Sequence, residues 1–408
     1  MFTQRKGFIM KKKALAAIIL TMSLFATACG DDGNLDSSRA PVQLDPQAVA
    51  SSTPAPQPVA TPEATPEPGA TGQVITDRVV KDGKMQSYLT GEWVDEEIGN
   101  RRPISVAMPN QKSCLPHYGI TNASVIYQMP LRDNLTRLLC VFEDFDDLDR
   151  IGPVRSIRTY MVYTGMEHDS IVCHWGSAVY ANDLLNSAEV DNISQATQGI
   201  AKPTSVAFDR YNRAGKYNDT DSAYMFIDGL MKGVEQRGYS WDYDSSFEPK
   251  FLFAAEGSRA TYDDAQSATK IWPGTKGNYN TVSAYFEYNP STNKYEYSEY
   301  GSPLKDEHNG ETVQVDNVVL QICYGEEIDA HGYLAMEMHR DAQHPGNGDG
   351  RMLFFTNGKV VEGYWERKDG DDKPAKYYDA DGNELIFNQG KTFICHIWSK
   401  WEDYIKYE

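Results

Sequence analysis

D-R-I-G-P-V-R-S-I-R-T-Y, at residues 149–160, is the stretch around which the rest of the chain is organised. Pro153 suits the first position of a helix, so the pattern predicts a helix over residues 154–168. Arg155 and Arg158 then lie together at the helix start, where the helix dipole prefers anions. We therefore expect a negative group nearby, either a carboxylate of the protein or part of a bound ligand.

The N-terminus has the layout of a secretory signal. A basic segment with three lysines at residues 11–13 precedes an apolar run too short to span a membrane comfortably. The run ends in A-T-A-C, which resembles a bacterial lipobox with Ala26 in place of the usual Leu. This resemblance implies removal of residues 1–28, acylation of Cys29, and anchoring to the outer face of the cytoplasmic membrane. The alternative is an ordinary cleaved signal with an incidental cysteine.

Residues 29–80 are predicted to be a disordered stalk. The segment T-P-A-P-Q-P-V-A-T-P-E-A-T-P-E-P-G at residues 53–69 has few large apolar side chains, so it cannot bury enough surface to fold. Its proline content favours an extended, semi-stiff chain. The stalk would separate a globular body from the membrane.

The net charge limits the kinds of partner, and the cysteine spacing bears on disulfide formation. The formal net charge is −19, which argues against a nucleic-acid partner. No sequence pattern indicates a cofactor. Five cysteines follow Cys29 without paired spacing, so no disulfide framework is indicated, although one pair could form.

Two domains are predicted after the stalk, within residues 86–245 and 250–408. The first alternates strands and helices, which indicates an α/β or α+β layer structure. The second has short alternating runs separated by turn signals, such as Asn357-Gly358, and predicts a mainly antiparallel β domain. The strands predicted in the first domain are residues 103–108, 123–129, 136–142 and 170–175, and its helices are 154–168, 178–187 and 222–236.

Several segments resemble the YerB-like lipoproteins, a family of two-domain bacterial surface proteins whose domains have no established biochemical function. They are R-P-I-S-V-A-M-P-N at 102–110, S-V-I-Y-Q at 124–128, N-L-T-R-L-L-C-V-F at 134–142, I-G-P-V-R-S-I-R-T-Y at 151–160 and V-C-H-W-G-S at 172–177. Residues 208–218 are similar to the family's F-x-R-x-x-R-x-x-P-H-N-x-Y segment, matching Phe208, Arg210, Arg213 and Asn218.

The chain departs from the family pattern at three polar positions. Gln128 stands where Glu is usual, and Arg132 stands where a second Glu is usual. The family's Pro-His-Asn appears here as Lys216-Tyr217-Asn218, so Tyr217 replaces the His. If these positions formed a catalytic set, this chain has lost it. If they line a binding cleft, its ligand preference has shifted.

The candidate ligand-binding residues are mostly arginines, which suit a bidentate grip on carboxylate or phosphate. One interpretation is an anion pocket; the other pairs the arginines with the acidic run at residues 143–149. The candidates are Arg137, Arg155, Arg158, His174, Arg210, Arg213 and Asn218.

His174 ends a predicted strand, a place where ligands of open α/β sheets bind. It is either a cleft residue or a structural histidine in a turn, and no acid partner is identifiable. No catalytic residue is therefore assigned. We expect a non-enzymatic module that binds an anionic cell-wall component or an envelope protein; the alternative is a hydrolase or transferase acting on cell-wall polymer.

Other clusters have simpler interpretations. No metal site is expected, because the acidic run, the turn at Asp379, and the histidines His331, His339 and His344 lack ligand spacing. Four aromatic residues could form a glycan-stacking surface or belong to the core, and the core is the commoner outcome. They are Tyr364, Trp365, Trp398 and Trp401.

Overall fold

An eleven-stranded sheet runs through both predicted domains. The structure is a computed structural model that describes residues 72–211, 222–336, 348–367 and 373–408. Ten strands follow one another across the sheet, and Ala375–Asp379 pairs with Lys359–Arg367 beside this path. In spatial order the ten are Gln266–Ser267, Lys359–Arg367, Asp349–Thr356, Asn317–Cys323, Thr392–Trp398, Val125–Pro130, Thr136–Phe142, Ile104–Pro109, Ile171–His174 and Asn192–Ser194.

The last long strand of the chain joins the two halves. Thr392–Trp398 pairs in parallel with Val125–Pro130 on one side and with Asn317–Cys323 on the other. Its register places Thr392 opposite Val125 and Cys395 opposite Gln128. The two predicted domains therefore share one continuous sheet.

Both faces of this sheet are covered, as the near-continuous apolar strands require. Successive side chains point to opposite faces of a strand. Val106 and Cys140 accordingly belong to one buried cluster, and Ala107 and Leu139 to the other. The five described cysteines are free thiols, and all are buried as small core residues.

Smaller sheets surround the central one. A six-stranded sheet packs in the second half, and the others have two or three strands. The six strands are Lys270–Trp272, Tyr285–Asn289, Lys294–Glu299, Ser302–Pro303, Gln314–Val315 and Lys406–Tyr407. The three-stranded sheet contains Arg150–Ile151, Phe208–Arg210 and Ala223–Phe226; the pairs are Lys84–Gln86 with Trp93–Asp95, Leu252–Phe253 with Ile386–Phe387, and Gly325–Glu327 with Leu334–Met336.

Short helices connect these strands in the described ranges. They are α1 (Glu96–Asn100), α2 (Thr159–Met166), α3 (Asn182–Leu185), α4 (Ile227–Arg237) and α5 (Gly277–Val282), with several single 3-10 turns. The fold is thus of the α+β type with mostly strand structure. The second half was predicted to be a mainly antiparallel β domain, and it also contains the short helix α5.

The helix predicted from residue 154 begins later, at Thr159. The backbone before it is extended because its N–H groups pair with neighbouring segments: Val154 N–H with Ala223 O at 2.7 Å, and Ile157 N–H with Gly176 O at 3.0 Å. Arg158 is the extended residue just before α2. Tertiary hydrogen bonds thus override the local helix signal.

The predicted stalk also ends earlier than residue 80. Val74 forms a β-bridge with Ala254, and Ile75 N–H bonds to Phe253 O at 2.9 Å. Residues 72–80 therefore belong to the described body, while Cys29 and residues 29–71 lie outside the described residues. No helix of the described ranges is both long and apolar enough to cross a bilayer.

Candidate functional site

The site is built on the extended segment of residues 153–158. Arg155 N–H bonds to Ala107 O at 2.8 Å, just before the end of the strand Ile104–Pro109. Ile157 forms a parallel bridge with Ser177, beyond the end of Ile171–His174. The segment therefore lies across the carboxyl ends of two neighbouring parallel strands, which is where open sheets present their ligand sites.

Two guanidinium groups converge on one carbonyl oxygen of this segment. Arg137 projects from the strand Thr136–Phe142 and donates a hydrogen bond from Nη1 to Ser156 O. Arg158 donates from its own Nη1 to the same oxygen at 3.2 Å, and to Ile157 O at 3.2 Å. Their charges are thus brought together through a neutral backbone acceptor.

The charges in this cluster repel one another. Burial, followed by the nearby charges of Arg158 and Arg155, lowers the pKa of Arg137 to about 9. Burial also lowers the pKa of Arg158, and Arg132 and Arg155 contribute in the same direction. With a pKa of about 9, Arg137 remains cationic at neutral pH. A negative group brought here would relieve the repulsion.

The acidic run does not neutralise these arginines as one interpretation predicted. Asp146 pairs with Arg101 at 2.8 Å, and Asp149 pairs with Arg150 at 2.7 Å. Among the described residues, neither Arg137 nor Arg158 forms an ion pair with a carboxylate; both donate to backbone carbonyls. Asp146 and Asp149 are therefore engaged by other arginines.

Glu143, the first acid of that run, is buried. Its carboxylate accepts hydrogen bonds from the hydroxyls of Ser87, at 2.6 and 2.7 Å, and Ser124, at 3.1 Å. Burial raises its pKa to about 7, partly offset by these hydrogen bonds. It is a structural carboxyl group linking the hairpin at residues 84–95 to the central sheet.

A tyrosine from the second half completes the cluster. The ring of Tyr333 lies 5.3 Å from the Arg132 guanidinium and 5.5 Å from that of Arg158, within the range of cation–π attraction. Tyr333 also meets Tyr180 edge-on, with the ring centroids 5.6 Å apart. We call Arg132, Arg137, Arg155 and Arg158 the Arg cluster; residues of both halves line it.

His174 does not face an open cleft. It is fully buried, and its Nδ1 lies 2.8 Å from Gly176 O. Burial lowers its pKa to about 4, so the imidazole is neutral at physiological pH. The residue that follows His174 does contact the site, because Trp175 N–H donates to Arg155 O at 3.3 Å.

Arg210 contacts Trp175, whose N–H donates to Arg155 O of the Arg cluster. Its guanidinium is 5.0 Å from the Trp175 ring, and its Nη1 donates to Ser222 Oγ at 3.0 Å. Arg213 and Asn218 fall outside the described residues, so their assignment stays a prediction. Tyr333 carries no sequence signal for this site, because its contact with Arg158 spans the two halves of the chain.

The two described positions that depart from the family pattern, Gln128 and Arg132, have different surroundings. Arg132 belongs to the Arg cluster, whereas Tyr217 is outside the described residues. Gln128 is buried, with its Oε1 2.9 Å from the Tyr297 hydroxyl and its Nε2 donating to Thr136 Oγ1 at 3.0 Å. The change at Gln128 therefore affects the core, and the change at Arg132 affects the Arg cluster.

The turn at Asp379 and the aromatic residue Trp365 have structural explanations. The Asp379 carboxylate accepts hydrogen bonds from the N–H groups of Asp381 and Asn383, at 3.0 and 2.9 Å, as a hairpin turn requires. Trp365 is fully buried and donates to Ile322 O at 2.8 Å. His339 and His344 lie outside the described residues.

Comparison with known proteins gives consistent matches in both halves. Residues 89–240 match the family described as "Protein of unknown function (DUF3048) N-terminal domain", and residues 275–394 match its C-terminal domain. The chain is 26% identical over 311 residues to YerB of Bacillus subtilis (strain 168), which is named as a lipoprotein; the match covers 76% of this chain and 86% of that protein.

The crystal structure of the YerB protein from Bacillus subtilis has the same fold. The structural match has a TM-score of 0.64 and 22% sequence identity, and it covers 79% of this chain and 99% of that chain. At this identity the likeness establishes the shared fold alone.

Proposed function

The chain belongs to the YerB-like family, and from this premise we propose that it is a lipid-anchored extracytoplasmic protein that binds an anionic component of the cell wall. The lipid would be attached at Cys29, in keeping with the lipoprotein name of its relative. The binding group would be the Arg cluster of the first half. The ligand would carry carboxylate or phosphate groups, which guanidinium groups bind in pairs of hydrogen bonds.

One observation carries this proposal: like charges are gathered at a ligand-type position of the sheet, while Asp146 and Asp149 pair with other arginines. Arg137 and Arg158 share the carbonyl oxygen of Ser156, and Arg155 adds a third charge close by. Bringing like charges together costs free energy, and Arg155 accordingly lowers the pKa of both Arg137 and Arg158. An anionic ligand would recover that free energy on binding.

Binding has more support than catalysis at this site. A general base must reach its substrate, and His174 is fully buried with its pKa lowered to about 4. The hydrolase or transferase alternative would therefore need another base. Arg155 and Arg158 are half-buried, so their guanidinium groups are better placed to meet a ligand.

The test is to incubate the purified full-length chain with cell-wall sacculi and soluble wall-polymer fragments. Retention of the chain without new polymer products is expected. The variants Arg155→Ala and Arg158→Ala should each weaken retention about tenfold or more, as expected for loss of a charge-assisted contact. Lys232→Ala is the matched control, because it removes an exposed cation from α4.

The outcomes separate the alternatives. Unchanged retention of folded Arg155→Ala and Arg158→Ala variants would contradict the proposal. New polymer products that are absent with the Arg158→Ala variant would favour the enzyme alternative. Retention that disappears after protease treatment of the sacculi would identify an envelope protein as the ligand.

A further inference from the structure

A second cationic and aromatic surface lies beside the Arg cluster. It surrounds the 3-10 segment Ser399–Tyr404 in the second half. We call it the Lys–Trp surface and define it as Lys276, Trp398, Lys400, Trp401 and Tyr404.

Lysines and aromatic rings alternate on this surface. The Lys400 ammonium lies 4.6 Å from the ring of Trp398 and 5.3 Å from that of Trp401. The Lys276 ammonium lies 5.8 Å from Trp401 and 4.7 Å from Tyr404. Lys276, Lys400 and Tyr404 are exposed, and the two tryptophans are half-buried. The lysines are therefore available to solvent while their positions are held by cation–π attraction.

Two sets of contacts connect the Lys–Trp surface to the Arg cluster through intervening residues. Trp398 Nε1 donates a hydrogen bond to Gly325 O at 2.8 Å. Gly325 begins the hairpin of Gly325–Glu327 and Leu334–Met336, whose connecting loop places Tyr333 against Arg132 and Arg158. One hairpin thus contacts both surfaces.

The second connection runs through α5. Lys276 immediately precedes this helix, and Gly277 packs closely against Trp401. The Asn278 side-chain amide donates to Leu131 O and Leu135 O, both at 2.7 Å, on either side of Arg132. The two cationic surfaces are therefore neighbours held by buried hydrogen bonds.

This continuity is notable in a chain whose net charge is −19. The one carboxylate in the connecting loop that contacts the site, Asp329, is occupied by the Tyr180 hydroxyl at 2.9 Å and by the N–H groups of His331 and Tyr333. Lys276 and Lys400 alternate with flat aromatic rings, and the same 3-10 segment also carries Glu402 and Asp403. Lysines and rings arranged in this way suit a ligand with repeated charges. A single small anion would occupy only one end of this arrangement.

We propose that the Arg cluster and the Lys–Trp surface form one track for a linear polyanion whose repeats contain sugar rings. The inference rests on the proposed function, because the Arg cluster binds the first anionic group. The lysines then meet the following charges, and the aromatic rings pack against the apolar faces of the sugars. Linked contacts of this kind raise affinity strongly with ligand length.

The test is calorimetric titration of the full-length chain with oligogalacturonates of increasing length, which carry one carboxylate on each sugar. The wild-type chain should bind long oligomers at least tenfold more tightly than short ones. The double variant Lys276→Ala/Lys400→Ala should lose most of this gain and bind short oligomers as the wild type does. Both lysines are exposed, so the variant should fold normally, and Lys232→Ala is the control for a lost surface cation.

A second arm separates charge from sugar. Long-chain polyphosphate has repeated charges without sugar rings, so Tyr404→Ala should weaken oligogalacturonate binding about threefold or more and leave polyphosphate binding unchanged. Equal effects on both ligands would overturn the sugar-stacking part of the inference.

The titrations distinguish a failure of the track from a failure of the proposed function. If long oligomers bind and Arg158→Ala weakens them while Lys276→Ala/Lys400→Ala does not, the track is contradicted and the proposed function stands. If neither length binds, or if Arg155→Ala/Arg158→Ala has no effect on either length, the proposed function is contradicted together with the track.

Discussion

Glu299 shows how a single buried residue contributes to the pH dependence of this fold. Its Oε2 accepts hydrogen bonds from Asn110 Nδ2 at 2.8 Å and from the Tyr297 hydroxyl at 3.0 Å. Burial nevertheless raises its pKa to about 8. Gln128 meets the same hydroxyl, so a neutral side chain there avoids a second carboxylate beside Glu299.

The raised pKa predicts a loss of stability at high pH. The folded state binds the Glu299 proton more tightly than the unfolded state does, so the free energy of unfolding falls as pH rises from the ordinary carboxyl pKa towards about 8. Glu299→Gln should remove the contribution of Glu299 to this slope, leave that of Glu143, and stabilise the chain at pH above 8 by about 1–3 kcal/mol. Urea unfolding at several pH values is the measurement.

Glu296→Gln is the control for that experiment, because Glu296 lies on the same strand and is only half-buried. It should leave the pH profile unchanged. A Glu299→Gln profile parallel to that of the wild type would show that the folded carboxyl has an ordinary pKa.

Helix α4 illustrates what sequence reasoning achieves at the scale of one element. The helix predicted over residues 222–236 was confirmed in its second part, Ile227–Arg237, which ends before Gly238. Its predicted start was wrong, because residues 223–226 pair as the strand Ala223–Phe226. The same reasoning was wrong for residues 154–158, which satisfy their N–H groups by pairing with strands distant in sequence. Local patterns predict elements whose hydrogen bonds are local, and they fail where tertiary partners supply them.

Gly238 is predicted to contribute through its backbone alone. It closes α4 with φ of 67°, a left-handed conformation, and a Cβ there would meet no neighbouring atom. Gly238→Ala should therefore lower the free energy of unfolding by about 1 kcal/mol. Chemical denaturation measures this, and the exposed Gln236→Ala in the last turn should have little effect. An unchanged stability for Gly238→Ala would contradict the assigned cap.

At the scale of the whole molecule, the central sheet joins strands that are far apart in sequence. Val125–Pro130 requires Thr392–Trp398 as its neighbour, although the two strands are far apart in sequence. Most individual strands could be predicted from alternating or continuous apolar runs, and Thr136–Phe142 was predicted with its observed bounds. Their order in the sheet could not, because it depends on pairing between distant segments.

The shared sheet predicts cooperative unfolding of the two halves. Breaking the parallel pairing would expose backbone groups and apolar surface of both, so neither half should persist when the other unfolds. Calorimetry of the full-length chain should give one transition for residues 86–408. Two well-separated transitions would show that the halves are independent domains despite the common sheet.

The candidate site was predictable in part at the same scale. The sequence placed Arg137, Arg155 and Arg158 among the candidate residues, and the structure brings them together. It could not place Tyr333 beside them, nor show that Asp146 and Asp149 pair with Arg101 and Arg150. Both facts depend on contacts made only in the folded chain.

The most direct test of the account is the affinity of the full-length chain for purified wall-polymer fragments, measured by calorimetric titration against the Arg155→Ala/Arg158→Ala variant. Binding should weaken as salt is raised and should fall at least tenfold in the folded variant, since charges supply the attraction. Equal affinities for the two proteins, or binding insensitive to salt, would contradict the assignment of the Arg cluster as an anion-binding site.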